Sequence, residues 1–166
     1  KQLGVKTVHT RSEDVFIPLW RRTEIANENK GKLFISIHVN ATPRSTKVKG
    51  FETFLLRPGK NDDAIDVAER ENSVIDMETK NNKYKKISYE NIIVATMAQQ
   101  SFVEDSEFMA HSIQNELDKV LTSPNRGIKQ AGFHVLIGAS MPNVLVEVGF
   151  ISNSQEARLL NTRSYR

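Results

Sequence analysis

Short apolar runs alternate with amphipathic segments along this chain, a pattern that is typical of an α/β protein. The clearest apolar run covers residues 34–41; it is rich in β-branched residues and ends in a histidine, an asparagine and an alanine. Such a run predicts a strand that is buried on both faces. A predicted strand at residues 5–10 and a predicted helix at 15–29 precede it, so we expect a parallel βαβ crossover.

The same alternation continues to the end of the chain, with a break at the Ser-Pro-Asn-Arg-Gly sequence of residues 123–127. The further predicted elements are strands at 50–56, 133–137 and 144–148, helices at 64–75, 89–100 and 107–121, and a last helix capped by Ser154; Ser106 is the predicted N-cap of the third of these helices. No internal repeat or linker divides the chain, and 166 residues suit a single domain.

Composition narrows the chemistry more than it narrows the fold. The chain has no cysteine, so disulfides, thiolate metal sites and cysteine nucleophiles are excluded, and a metal ion must bind to histidine nitrogen and carboxylate oxygen. The formal net charge is only +3 and the basic residues are dispersed, which does not favour a nucleic-acid partner. No apolar stretch reaches the length of a membrane span.

Two polar residues stand out within the predicted buried strands. His38 ends one strand, where an imidazole is either a metal ligand or acid–base group, or a side chain that hydrogen-bonds to the backbone. Glu147 interrupts the apolar run of another strand, where a carboxylate costs several kcal/mol unless it is paired, protonated or bound to a metal. Since functional groups collect at strand ends in α/β sheets, we interpret the two as a metal ligand and a general base, with a salt bridge of Glu147 as the alternative.

Several sequence blocks, in order, carry a resemblance to a known family. They are the SIHVNA core of residues 34–41, the preceding Thr10-Arg11 and residues 22–27, and the later blocks 127–133 and 142–153. With these blocks the chain resembles the zinc-dependent N-acetylmuramoyl-L-alanine amidases of bacterial cell-wall turnover. The resemblance covers most of the chain outside residues 76–105.

The resemblance implies a fold, a reaction and three site residues. The implied fold is a twisted, mostly parallel, about six-stranded sheet with helices on both faces, a three-layer αβα arrangement. The implied reaction is hydrolysis of the amide between N-acetylmuramic acid and the L-alanine of the peptidoglycan stem peptide. By position, His38 corresponds to a zinc ligand, Glu147 to the catalytic glutamate and Asn40 to a residue of the substrate pocket.

The chain also departs from the family pattern. The family's other two zinc ligands, a histidine in a GHGG turn and a glutamate on the next helix, have no counterpart here, and we expect them upstream of Lys1. We therefore interpret residues 1–166 as one N-terminally truncated amidase domain, and expect the intact protein to bind zinc tightly. The other histidines, His9, His111 and His134, are interpreted as structural.

Residues 76–105 fall where some envelope amidases of this family carry a regulatory insert. The resemblance implies a helix that plugs the active site and is released by an activator with a LytM-type domain. Glu78 and Glu90 are the candidates for a glutamate that reaches the zinc; an ordinary surface excursion is the alternative. The family also implies a role in cell division and a location in the periplasm or extracellular cell envelope of a bacterium.

Two other functions compete with the amidase. A non-catalytic module that binds peptidoglycan but has lost its zinc site would explain the missing ligands, although His38 and Glu147 are both present. The residues encoded upstream of Lys1 distinguish these two hypotheses. A serine hydrolase is poorly supported, because the chain has no G-x-S-x-G sequence.

Overall fold

The computed structural model describes residues 4–43, 45–77 and 89–165, which form a sheet with helices on both faces. In chain order, the helices and strands are α1 Leu19–Glu28, β1 Phe34–Asn40, β2 Phe51–Leu56, α2 Asp62–Asn72, α3 Tyr89–Ala98, α4 Val103–Val120, β3 Asn125–Ala131, β4 Asn143–Phe150 and α5 Ser154–Leu160. Short 3₁₀ turns lie at Ser73–Met77, Gln100–Phe102 and His134–Leu136. None of the described helices is long and apolar enough to cross a membrane.

The described sheet has the order β1-β4-β2-β3. β1 is parallel to β4 and β2 is parallel to β3, while β2 and β4 are antiparallel. The predicted mostly parallel α/β sheet is therefore confirmed, with one antiparallel pair at its centre. The two central strands are almost wholly buried because a helical layer covers each face.

Each face of the sheet carries its own apolar core. On one face α4 packs Met109 and Ala110 against Val144 and Val146 of β4. On the other face α1, α2 and the 3₁₀ turn after β3 pack over Phe54, and the aromatic rings of Phe54 and Phe133 lie 4.9 Å apart. The three-layer arrangement follows from side chains that alternate between the two faces of each strand.

The prediction that β1 is buried on both faces is wrong. Its residues alternate between buried and exposed positions, and Ile37 is 70% exposed. β1 is an edge strand of the described sheet, and the main α4 contacts lie on β2, β3 and β4. Within the described part of the chain, one face of β1 therefore has little helical cover. An apolar run is compatible with either arrangement, because composition does not specify how far a covering helix extends.

Two other strand predictions are wrong, and one strand was missed. Residues 5–10 form no strand, and Val5 is 73% exposed; a strand requires a hydrogen-bonded neighbour, and no described strand pairs with this segment. The apolar run at 133–137 forms a buried 3₁₀ turn instead. The missed strand is β3, Asn125–Ala131, which begins within the predicted chain break at residues 123–127. Its polar residues do not indicate a buried strand, but they suit the edge of the sheet, where β3 lies.

The helices are confirmed with shifted ends. α1 begins at Leu19 rather than at residue 15, since Pro18 occupies the N-cap position. α4 begins at Val103, so Ser106 lies inside the helix and its hydroxyl donates a hydrogen bond to the Phe102 carbonyl. α5 begins at Ser154, one residue earlier than expected, so Ser154 lies in the helix and the capping side chain is that of Asn153.

Candidate active site

The parallel pairing of β1 with β4 places the two predicted site residues side by side. His38 and Glu147 are Cα partners in the ladder, so their side chains leave the same face of the sheet. Strand periodicity adds Ser36 and Asn40 to that face, and the Ser36 hydroxyl lies 3.1 Å from His38 Nε2. The site therefore forms at the carboxyl end of β1.

A third site residue, Glu71, comes from α2 and was not predicted. β2 runs antiparallel to β4, so the helix that follows β2 runs back towards the carboxyl ends of β1 and β4. The last turn of α2 carries Glu71, whose Oε2 lies 2.5 Å from His38 Nδ1. The direction of the crossover thus explains why this carboxylate meets the histidine.

His38, Glu71 and Glu147 form one compact group of side chains of the types that bind metal ions, which we call the candidate metal-binding group. One donor atom from each lies within 4.8 Å of the others. An imidazole nitrogen with carboxylate oxygens is a donor set that Zn²⁺ uses in proteins, and no cysteine is needed. The structure thus places His38 and Glu147 close together with one more carboxylate than expected, while their roles as ligand and base stay a prediction.

Glu147 is buried in a way that an apolar strand does not explain. It is 0% exposed, and neither carboxylate oxygen has a hydrogen-bond partner within residues 4–43, 45–77 and 89–165. Burial, followed by the nearby carboxylates of Glu71 and Glu52, raises the pKa of Glu147 to about 9, while Arg70 acts in the opposite direction. The salt bridge considered from the sequence is not formed in the described structure. A buried carboxylate that has a raised pKa and no hydrogen-bond partner among the described residues suits a site that binds a cation or transfers a proton.

A second buried carboxylate lies beside Glu147 but is fully bonded. Glu52 on β2 is the antiparallel Cα partner of Glu147. Its Oε1 accepts a hydrogen bond from Asn40 Nδ2 at 3.0 Å. Its Oε2 accepts bonds from Arg126 Nε at 3.0 Å and Lys129 Nζ at 2.6 Å. Of these two neighbouring buried carboxylates, Glu52 thus accepts three hydrogen bonds, whereas Glu147 accepts none from the described residues.

The remaining predicted site residues have different outcomes. Asn40 lies buried at the end of β1 with Nδ2 bonded to Glu52 and Oδ1 bonded to Arg70, and its substrate-binding role stays a prediction. Glu90 is exposed in the first turn of α3 and is not a member of the candidate metal-binding group. Glu78 lies outside the described residues.

None of the histidines interpreted as structural joins the group. His9 and His111 are exposed, the latter on α4. His134 is buried in the 3₁₀ turn rather than in the predicted strand, and burial lowers its pKa. The candidate metal-binding group found among the described residues contains His38 alone of the four histidines.

Comparison with known proteins now identifies the family. The model of the N-acetylmuramoyl-L-alanine amidase family Amidase_3 matches residues 1–166. The chain belongs to this amidase family. AmiA of Escherichia coli strain K12, an N-acetylmuramoyl-L-alanine amidase, is 33% identical over 165 residues, which are 98% of this chain and 56% of AmiA. AmiC of Escherichia coli O6:H1 is 31% identical over 100% of this chain and 40% of its own length.

Solved amidase structures share the fold. The N-acetylmuramoyl-L-alanine amidase from Clostridium difficile 630 has a TM-score of 0.66 over 99% of this chain and 66% of its own, and at 22% identity it supports the fold alone. The amidase AmiC2 of Nostoc punctiforme has a TM-score of 0.60 at 26% identity, with the same coverage of 99% and 66%. The chain spans about half the length of AmiA and less of AmiC.

Proposed function

We propose that this amidase-family chain contributes the catalytic site of a zinc-dependent peptidoglycan hydrolase. The reaction is hydrolysis of the amide between N-acetylmuramic acid and the L-alanine of the stem peptide. The observation that supports it is the convergence of His38, Glu71 and Glu147 within 4.8 Å on one face of the sheet. Family membership supports the choice of substrate.

Among the described residues, His38 and Glu71 would contribute ligands to the zinc ion, in addition to those expected from the family pattern. They are held on different elements, a strand end and a helix end, and they are partly exposed, so an ion can reach them from solvent. When bound, zinc supplies a Lewis acid that polarises the amide carbonyl and makes a water molecule more acidic at neutral pH.

Glu147 is the proposed general base. Burial and the neighbouring carboxylates raise the pKa of Glu147 to about 9, which favours a proton on one carboxylate oxygen at neutral pH. A positive charge held by His38 and Glu71 would lower the pKa of Glu147, because an opposite charge nearby favours the ionised form. An ionised Glu147 can then take a proton from the attacking water and return it to the leaving amine of L-alanine.

Zinc binding by the full-length protein tests the ligand assignment. We expect His38→Ala and Glu71→Ala each to weaken zinc binding strongly in equilibrium dialysis, since each removes a donor atom. His111→Ala is the matched control, because it removes an exposed imidazole on α4 and leaves the site intact. Stoichiometric zinc that survives His38→Ala would refute the site.

Digestion of purified peptidoglycan tests the reaction. Glu147→Gln should retain zinc and substrate binding but lose the release of peptides that begin with L-alanine. A module that binds peptidoglycan without cleaving it, the alternative function, predicts that the wild-type protein pulls down with peptidoglycan yet releases no such peptides even with added zinc.

We further propose a regulatory role for residues 76–105 in a protein of the bacterial cell envelope, periplasmic or extracellular, that acts in cell division. α3 is in this segment and exposes Val94 and Met97, an apolar surface that suits contact with a LytM-type activator. Glu78 or Glu90 would be the residue that reaches the zinc in the inhibited state. Deletion of residues 81–100 should raise basal activity; unchanged basal activity would refute the regulatory role.

A further inference from the structure

The carboxylate of Glu52 has no part in the proposed reaction, yet it is one of the most buried charged groups in the protein. It is 1% exposed and accepts three hydrogen bonds, two of them from the cationic side chains of Arg126 and Lys129. A buried carboxylate is costly unless such partners are present. The fold therefore supplies three hydrogen-bond donors to a buried carboxylate that lies directly beside Glu147.

Glu52 begins a continuous line of hydrogen bonds that crosses three elements. Glu52 Oε1 on β2 accepts from Asn40 Nδ2 on β1, and Asn40 Oδ1 accepts from Arg70 Nη2 on α2 at 2.9 Å. Arg70 Nη1 also donates to the Asp66 carbonyl of its own helix at 3.1 Å. We refer to Glu52, Asn40 and Arg70 as the polar bridge.

The chemistry of the polar bridge allows only one orientation of the Asn40 amide. An ionised carboxylate only accepts hydrogen bonds and a guanidinium only donates them. The Asn40 amide therefore has its nitrogen towards Glu52 and its oxygen towards Arg70. A flipped amide would bring two acceptors together at one end and two donors together at the other.

The polar bridge ends next to both proposed zinc ligands. Asn40 lies two residues after His38 on the same face of β1, and Arg70 immediately precedes Glu71 in the last turn of α2. The hydrogen bond from Arg70 to Asn40 therefore joins the end of α2 to the end of β1. His38 and Glu71 thus lie on the two elements that this attachment joins.

We propose that Glu52 is a positioning residue that, through Asn40 and Arg70, sets the distance between His38 and Glu71. This inference rests on the proposed zinc site. The negative charge matters as well as the shape, because the amide nitrogen of a glutamine at position 52 would face the donors of Asn40, Arg126 or Lys129. Outer partners of this kind typically change metal affinity by about 10- to 100-fold when they are removed.

Two variants break the polar bridge at opposite ends, so a failure of one to fold leaves the other informative. Glu52→Gln removes the buried charge, and Arg70→Lys keeps the charge but loses the planar guanidinium that reaches Asn40. Glu156→Gln is the matched control: Glu156 is also a buried carboxylate, but it accepts from the backbone N–H groups of Gly50 and Phe150.

The first measurement is made on the metal-free full-length protein, by NMR of the His38 ring nitrogens at one fixed pH. We expect Glu52→Gln and Arg70→Lys to shift both ¹⁵N resonances, because the contact between His38 and Glu71 loosens. Glu156→Gln should lower the unfolding midpoint in urea without moving these resonances. Resonances that stay at wild-type positions in both bridge variants would overturn the proposal.

The second measurement is the dissociation constant for zinc alone, by competition with a chromophoric chelator. Both bridge variants should raise it about 10-fold or more, and Glu156→Gln should leave it within error of the wild type. Equal losses in all three variants would show that Glu52 acts only on stability. A wild-type protein that does not bind zinc would instead refute the zinc site, while the ring-nitrogen measurement would still decide on the polar bridge.

Discussion

Replacement of Glu147 by glutamine should remove a specific pH dependence from the stability of the metal-free protein. The pKa of Glu147 is raised from 4.5 to about 9 in the folded state. In the unfolded chain the carboxyl ionises near its ordinary value. As pH rises above 4.5, the unfolded state is therefore stabilised by ionisation and the folded state is not, so the wild-type protein loses stability.

The size of this loss follows from the linkage between protonation and folding. Each pH unit between the unfolded and the folded pKa is worth about 1.4 kcal/mol. From pH 4.5 to pH 7 the wild-type protein should lose about 3 kcal/mol of unfolding free energy that Glu147→Gln does not lose. The comparison cancels the other titrating groups, because they are shared by both proteins.

Urea unfolding in the presence of a chelator, at pH values from 4.5 to 7.5, measures this difference. The two curves of unfolding free energy against pH should diverge as pH rises, with Glu147→Gln becoming relatively more stable. Parallel curves would show instead that Glu147 is ionised in the folded protein and interacts with a partner or with solvent.

The remaining predictions concern the stability of the fold. Gly50→Ala should destabilise the protein by more than Gly127→Ala in urea unfolding: both have positive φ, but a Cβ at Gly50 would lie 2.3 Å from the Pro124 carbonyl oxygen, whereas at Gly127 it meets nothing within 4 Å. Equal losses would contradict this. Phe54→Ala should cost about 3–5 kcal/mol in the same assay, since its ring is fully buried against Phe133; a loss under about 1 kcal/mol would show that the core is less tightly packed.

The sequence predicted the parts of the fold in which local pattern and tertiary environment agree. α4 and β4 carry clear periodicity or a long apolar run, and both were located to within a few residues. β3 was missed because an edge strand with Arg126 and Lys129 does not have the composition of a buried strand. The 3₁₀ turn at His134–Leu136 was mistaken for a strand because it is equally apolar and buried.

The candidate site was predictable where a polar residue interrupts an apolar strand. His38 and Glu147 carry that signal, and the parallel ladder between their strands brings them together. Glu71 carries no such signal, because a glutamate near the end of an amphipathic helix is ordinary. Its role depends on the direction of α2 relative to β1, which requires the strand order. The hydrogen bonds from Arg126 and Lys129 to Glu52 were not predictable either, because both donors lie on β3 and its position beside β2 also requires the strand order.

We propose that His38, Glu71 and Glu147 support zinc-dependent cleavage of the amide between N-acetylmuramic acid and L-alanine. Mass spectrometry of purified peptidoglycan digested by the full-length protein tests it most directly. We expect stem peptides with a free L-alanine amino terminus, and we expect a chelator, zinc depletion or Glu147→Gln to abolish them. Cleavage products that persist unchanged with Glu147→Gln would contradict it.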